Sequence, residues 1–220
     1  MAATSALVLV SLSACAHTPA KNPDPNHTHA DFAVWIDGKR LDFSDAKYMA
    51  EELTPAEEKA LKHETGSLAN ADRVTLQKYL HLHDGNGHVI HRRKPHLTLL
   101  DFLHSIGVKT RLTKGKDLCI RFPRLPTETC EKPWVYFTMY VNDPRQGFAS
   151  ALKDDYDFRD GDHILITYGI PENQTNFVEL VHAEWLKMTD DACLYSQTCP
   201  ERRKPPVENC IADPKVPCVE

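Results

Sequence analysis

The sequence predicts an α+β fold: a small mixed or antiparallel sheet with a packed helix, followed by a disulfide-stapled tail. Apolar residues alternate with period two in several segments separated by turn residues, and one capped helical stripe interrupts them, so the order is hairpins, helix, further strands. Beyond Asp190 the chain holds Cys193, Cys199, Cys210 and Cys218 among prolines, with too little apolar mass for a core of its own, so disulfides must supply its order.

The elements follow in chain order. Phe32, Val34 and Ile36 alternate with Ala33 and Trp35, Asp37-Gly38 makes a turn, and Leu41 and Phe43 resume the alternation, which is a hairpin pattern. Thr54-Pro55-Ala56-Glu57 combines a capping hydroxyl, a first-turn proline and a carboxylate, so a short helix is expected up to Gly66. A second hairpin occupies roughly residues 79–91. Thr98-Leu99-Leu100-Asp101 caps the next helix, whose Leu99, Phe102, Leu103 and Ile106 form one apolar face before Gly107 stops it. Strands are expected at 118–122, at 134–141, where aromatic and β-branched residues crowd, and at 164–168 after Asp160-Gly161-Asp162. Phe177, Leu180, Val181, Glu184 and Leu186 suggest a helix over 176–188 with Trp185 near its apolar side.

From His81 to Gly169 this order resembles the β-grasp layout, in which two hairpin strands, a packed helix and two closing strands share a sheet. The β-grasp-like resemblance rests on element order and implies a fold, not an activity.

The amino terminus carries an apolar run from Ala6 to Ala14, too short to span a bilayer, that stops at a cysteine. Leu12-Ser13-Ala14-Cys15 resembles the bacterial lipobox, and the resemblance implies cleavage before Cys15 and a lipid on its thiol. No Lys or Arg precedes the apolar run, a departure from the family pattern that places Met1 inside the true signal. Four units are therefore expected: a signal peptide over 1–14, a lipid-anchored spacer rich in proline over 15–26, a histidine-rich α+β domain over 27–170, and a helix with a Cys/Pro-rich extension over 171–220. The expected location is the cell envelope, on its periplasmic or extracellular face, with the membrane as a partner through Cys15.

Seven cysteines less Cys15 leave Cys119, Cys130, Cys193, Cys199, Cys210 and Cys218, an even set that suits disulfides in an exported chain. Cys119 to Cys130 is the expected bridge in the body, while the connectivity of the last four stays open. No Cys-x-x-Cys occurs, which argues against a thiolate zinc or thioredoxin-type site. A net charge of −5 offers no basic surface for nucleic acid. Gly-x-Ser-x-Gly and glycine-rich phosphate loops are absent too, leaving nucleophilic hydrolysis and phosphate binding without support.

Of 12 histidines, six fall in two tight groups, His27-Thr28-His29 and the run from His81 to His91 that includes His83 and His88. Residues two apart in a strand share a face, so such pairs can converge on one ion. A three-residue loop at Gly85-Asn86-Gly87, with the last glycine left-handed, puts His81 opposite His91 and His83 opposite Val89, which segregates His81, His83 and His91 from Leu80, Leu82 and Ile90. His88 is the second choice, and His29 or His27 completes the site if the hairpins adjoin. Asp31 and Asp84 are expected to orient ring N–H groups. His17, His63, His96, His104, His163 and His182 are expected to be solvated or packing residues.

All-imidazole ligation favours a zinc or copper ion over the oxygen-seeking Ca²⁺ and Mg²⁺. The leading expectation is an envelope protein that binds such an ion for buffering, sensing or delivery. A zinc-dependent hydrolase or hydratase with three His ligands, served by Glu64, Asp84 or Asp31 as base, is the first alternative, although no His-Glu-x-x-His motif is present. The second is a non-metal interaction module with an envelope protein partner, using an exposed Tyr195 and the tail. The segments 27–36, 81–91 and 162–169 together resemble a group of bacterial and archaeal envelope proteins without a known activity; the resemblance joins the pieces into one unit and implies no function.

Overall fold

The computed structural model describes residues 27–50, 72–123, 125–169, 175–199 and 201–202. The leader with Cys15, the spacer, the helix expected at 54–66, and Cys210 and Cys218 lie outside the described residues.

Strand β1 (Thr28–Ile36) is buried along all nine residues and lies at the centre of the larger sheet. It runs parallel to β10 (His163–Tyr168), from Asp31 opposite His163 to Ile36 opposite Tyr168. Its other side is shared by two antiparallel strands. β4 (Val89–Arg92) covers the amino-terminal half, and β2 (Lys39–Arg40) covers the end, reached through a turn with Asp37 and Gly38 at φ 50° and 75°. β3 (Leu80–His81) pairs with β4, β8 (Thr138–Val141) with β10, and β9 (Phe148–Ala151) with β8, giving the order β3-β4-β1-β10-β8-β9. A three-stranded sheet of β5 (Lys109–Leu112), β6 (Leu118–Arg121) and β7 (Thr129–Cys130) stands apart.

The fold is thus α+β with a mixed sheet. The central parallel pair joins β1 to β10, while the strand at 80–81, expected to open the layout, lies at the edge of the sheet. Even-numbered residues of β1, Ala30 to Ile36, point into the main core with Leu80, Ile90, Met139, Val141, Ile164 and Ile166. On that face sits helix α2 (Leu99–Ser105), preceded in the chain by the single-turn α1 (Arg73–Gln77). Thr98 accepts from the Asp101 amide while the Asp101 carboxylate accepts from the Thr98 amide, the reciprocal cap predicted at that site. Phe102 meets Phe32 edge to face at 4.9 Å.

Two expectations need correction. The strand expected over 134–141 keeps only Thr138–Val141, since Lys132 to Val135 closes a tight turn with Pro133 and a left-handed Trp134 at φ 67° in its centre. In the second hairpin, His81 does face His91, but the ladder ends there. The left-handed residues are Asp84 and Gly85, at φ 57° and 69°, closed by the Asn86 amide donating to the His83 carbonyl. Gly87 has another role: a Cβ there would lie 2.4 Å from the Ser44 nitrogen and 2.5 Å from the Phe43 carbonyl carbon. Gly87→Ala is therefore expected to push the hairpin off the 43–44 segment and cost about 1–3 kcal/mol. Urea denaturation checks this, and a loss within about 0.5 kcal/mol would contradict the close approach.

The opposite face of the sheet is divided. Ala33, Trp35, Tyr140 and Leu165 are covered by Val181, Phe177, Trp185 and Met188 of and beyond α3 (Phe177–Trp185). Beside them, His27, His29, Asp31, His81 and His91 form a buried polar half, covered by the following segment and its short helix α4 (Ala192–Tyr195). Disulfides join Cys119 to Cys130, which face each other across β6 and β7, and Cys193 to Cys199. The first is the expected bridge, and the second resolves part of the connectivity that the spacing left open. Among the described residues no helix is long and apolar enough to cross a membrane.

Candidate functional site

Sheet register lines up three histidines across neighbouring strands. His29 on β1 lies opposite His91 on β4, and His91 lies opposite His81 on β3. His83 leaves the ladder just after β3, yet its ring returns to 3.9 Å from that of His91 and 5.8 Å from that of His81. The ring of His29 is 4.9 Å from that of His91, and His81 stacks on His91 at 6.0 Å. His29, His81 and His91 are 1%, 3% and 0% exposed. Burial pushes His81 well below the usual histidine range, helped by Arg93, His91 and His83 nearby.

Hydrogen-bond partners indicate which ring nitrogen donates. His81 Nδ1 donates to the Gln77 carbonyl at 2.8 Å, so its lone pair sits on Nε2. His83 Nδ1 donates to the Asp84 carboxylate at 2.8 Å, so its Nε2 accepts from His91 Nδ1 at 3.1 Å and the lone pair of His91 is on Nε2. Ser196 Oγ donates to Asp160 Oδ1 at 2.5 Å and accepts from His29 Nδ1 at 2.8 Å, which again leaves the lone pair on Nε2. A donor on Nδ1 fixed by carbonyl, carboxylate or hydroxyl, with a basic Nε2, is the arrangement by which outer partners orient histidine ligands. Ser196 is fully buried with its proton directed at Asp160, so it is not placed as a nucleophile.

The remaining expected residues fall elsewhere. His27 is 5.2 Å from His29 ring to ring but accepts from Arg93 Nε at 2.9 Å, which puts it at the rim beside a cation. His88 is outside the group, with Nε2 3.1 Å from Asp191 Oδ2. Asp84 orients His83 as expected. Asp31 does not orient an imidazole of the group: its carboxylate accepts from Thr189 Oγ1 at 3.1 Å and from the Asp191 and Ala192 amides at 2.9 and 3.0 Å. Burial pushes the Asp31 carboxyl up, and these amides with His163 pull it back.

No family model, curated protein or solved structure matches the chain.

Two groups of three among the described residues hold ligand atoms within 4.8 Å of one another, and neither is the histidine group. One is Cys119, Glu128 and Cys130, whose sulfurs are already bonded to each other. The other is Asp31, His163 and Asp190, with His163 Nε2 3.7 Å from Asp31 and 3.3 Å from Asp190. His163, expected to be a packing residue, thus belongs to a possible metal site, and Asp31 joins it through a strand pairing no local pattern reveals. The imidazoles of His29, His81 and His91 are buried, with the half-buried His83 beside them, but no three of their nitrogens lie within 4.8 Å of one another.

Tyr195, expected on an exposed contact surface, instead closes the top of the histidine group. Its ring stands 4.6 Å from His91, 5.7 Å from His29 and 5.8 Å from His83, and its hydroxyl accepts from Asn86 Nδ2 at 3.2 Å. Ser196 and Asp160 were also outside the expected set; Ser196 is marked in the sequence only by its place between Cys193 and Cys199, and Asp160 only by the turn at Asp160-Gly161-Asp162.

Proposed function

We propose that this chain is an envelope lipoprotein, tethered through Cys15, that binds one zinc or copper ion among His29, His81 and His91, with His83 joining when it releases its bond to His91. The observation that carries this reading is the set of buried imidazoles, each with Nδ1 committed to a partner and its basic nitrogen on Nε2. The donor set suits a borderline or soft divalent ion.

Burial under Tyr195 favours holding an ion over catalysis, since a hydrolase needs a substrate cleft and a ligand position open to water. The reading is accordingly buffering, sensing or delivery. Two disulfides agree with an oxidising compartment outside the cytoplasm.

The test is elemental analysis of the exported chain, purified without a histidine tag, together with His81→Ala/His91→Ala. About one equivalent of zinc or copper is expected in the parent and none in the variant, with both disulfides intact. Equal metal in the two would place the ion elsewhere, with Asp31, His163 and Asp190 as the first residues to change. No metal and no uptake on titration would leave the interaction module.

A further inference from the structure

Strands hold the floor of the histidine group, but its roof is a short segment with little structure of its own. Residues 189–199 place Tyr195 against His29, His83 and His91, and Ser196 against His29. The four-residue α4 inside this segment cannot persist alone, because so short a helix does not repay its nucleation. Its position depends on contacts with the sheet and on the Cys193–Cys199 bridge, which closes a loop with a sequence separation of 6 around Tyr195 and Ser196.

We propose that this segment is a redox-controlled lid, and that reduction of Cys193–Cys199 by a dithiol uncovers His29 and His91 and releases whatever is held there. The dithiol gives two electrons and two protons; its own sulfurs become a disulfide while the Cys193–Cys199 bond becomes two thiols. Cys193 is half-buried whereas Cys199 is 8% exposed, so Cys193 is the reachable sulfur. The Arg202 guanidinium lies 3.1 Å from Cys193 Sγ and favours the thiolate that reduction leaves there. Cys119–Cys130 differs, since it ties two paired strands away from the lid. What the lid releases rests on the metal reading; that it opens does not.

Opening the bridge removes a loop constraint worth about fiftyfold in the closing equilibrium for a ring of this size. The experiment follows carbethoxylation of individual histidines by diethyl pyrocarbonate, read by mass spectrometry, with zinc transfer to a chelator measured in parallel. The oxidised chain, the dithiol-treated chain and Cys193→Ser/Cys199→Ser, which keeps Cys119–Cys130, are compared. His29 and His91 are expected to react about ten- to fiftyfold faster in the latter two, while His96, whose side chain is 88% exposed, serves as the unchanged reference. Cys119→Ser/Cys130→Ser without reductant should label like the parent. Unchanged labelling of His29 and His91 on reduction overturns the lid. Faster labelling with unchanged zinc transfer overturns its control of exchange. Zinc absent from every sample sinks the metal reading, and labelling still decides whether the lid opens.

Discussion

Replacing His29 by Ala is expected to weaken zinc or copper binding by about a hundred- to a thousandfold. Structural sites with four protein ligands bind with about 10–16 kcal/mol, so one ligand carries about 2.5–4, and each 1.4 kcal/mol is tenfold. In the proposed site His29 is the ligand on the central strand, and sheet register sets it opposite His91. Ser196→Ala provides the graded comparison. It leaves the imidazole in place and removes only the hydroxyl that links His29 Nδ1 to Asp160, for which a tenfold to hundredfold loss is expected. Isothermal titration with a competing chelator separates the two. Equal affinities in the parent and both variants would contradict the assignment of His29, and an effect of Ser196→Ala as large as that of His29→Ala would mean that the hydroxyl, not the ring, is what matters there.

Local patterns revealed the parts of this site that local physics determines. The hairpin pattern sets His81 opposite His91, so that pair was legible, and the cap at Thr98 followed from side chains three residues apart. Cys119 and Cys130 were legible because their separation suits a single hairpin-like closure. The parallel pairing of β1 with β10 was not, since it joins residues over a hundred positions apart and depends on which buried strand occupies the centre. That pairing brings His163 to Asp31 and Asp160 to the amide of His29, at 2.9 Å. The turn at Asp84-Gly85 in place of Gly85-Asn86-Gly87 has another cause: the 43–44 backbone passes so close to Gly87 that the glycine is needed for contact rather than for a left-handed turn.

Asp31→Ala is expected to destabilise the protein by about 3–5 kcal/mol. The carboxylate is fully buried and accepts from the Thr189 hydroxyl and the Asp191 and Ala192 amides. Each hydrogen bond to a charged group contributes about 1.5–3 kcal/mol, and each buried donor left unsatisfied costs about 1–3. The full sum is not reached, because segment 189–199 can move outward and return its amides to water at the cost of uncovering the histidines. This relief ties stability to the site: the more easily the segment leaves, the smaller the global loss and the greater the exposure of His29 and His91. Asp31→Asn keeps one acceptor and should fall between the parent and Asp31→Ala. Urea denaturation gives the global loss, and native-state hydrogen exchange at the Ala192 amide gives the local one. A global loss below about 1 kcal/mol with fast exchange at Ala192 would mean that the segment opens independently of the core. The same small loss with protection retained would mean that Asp31 does not hold the segment, and that its attachment rests on Ser196, Asp160 and Asn86.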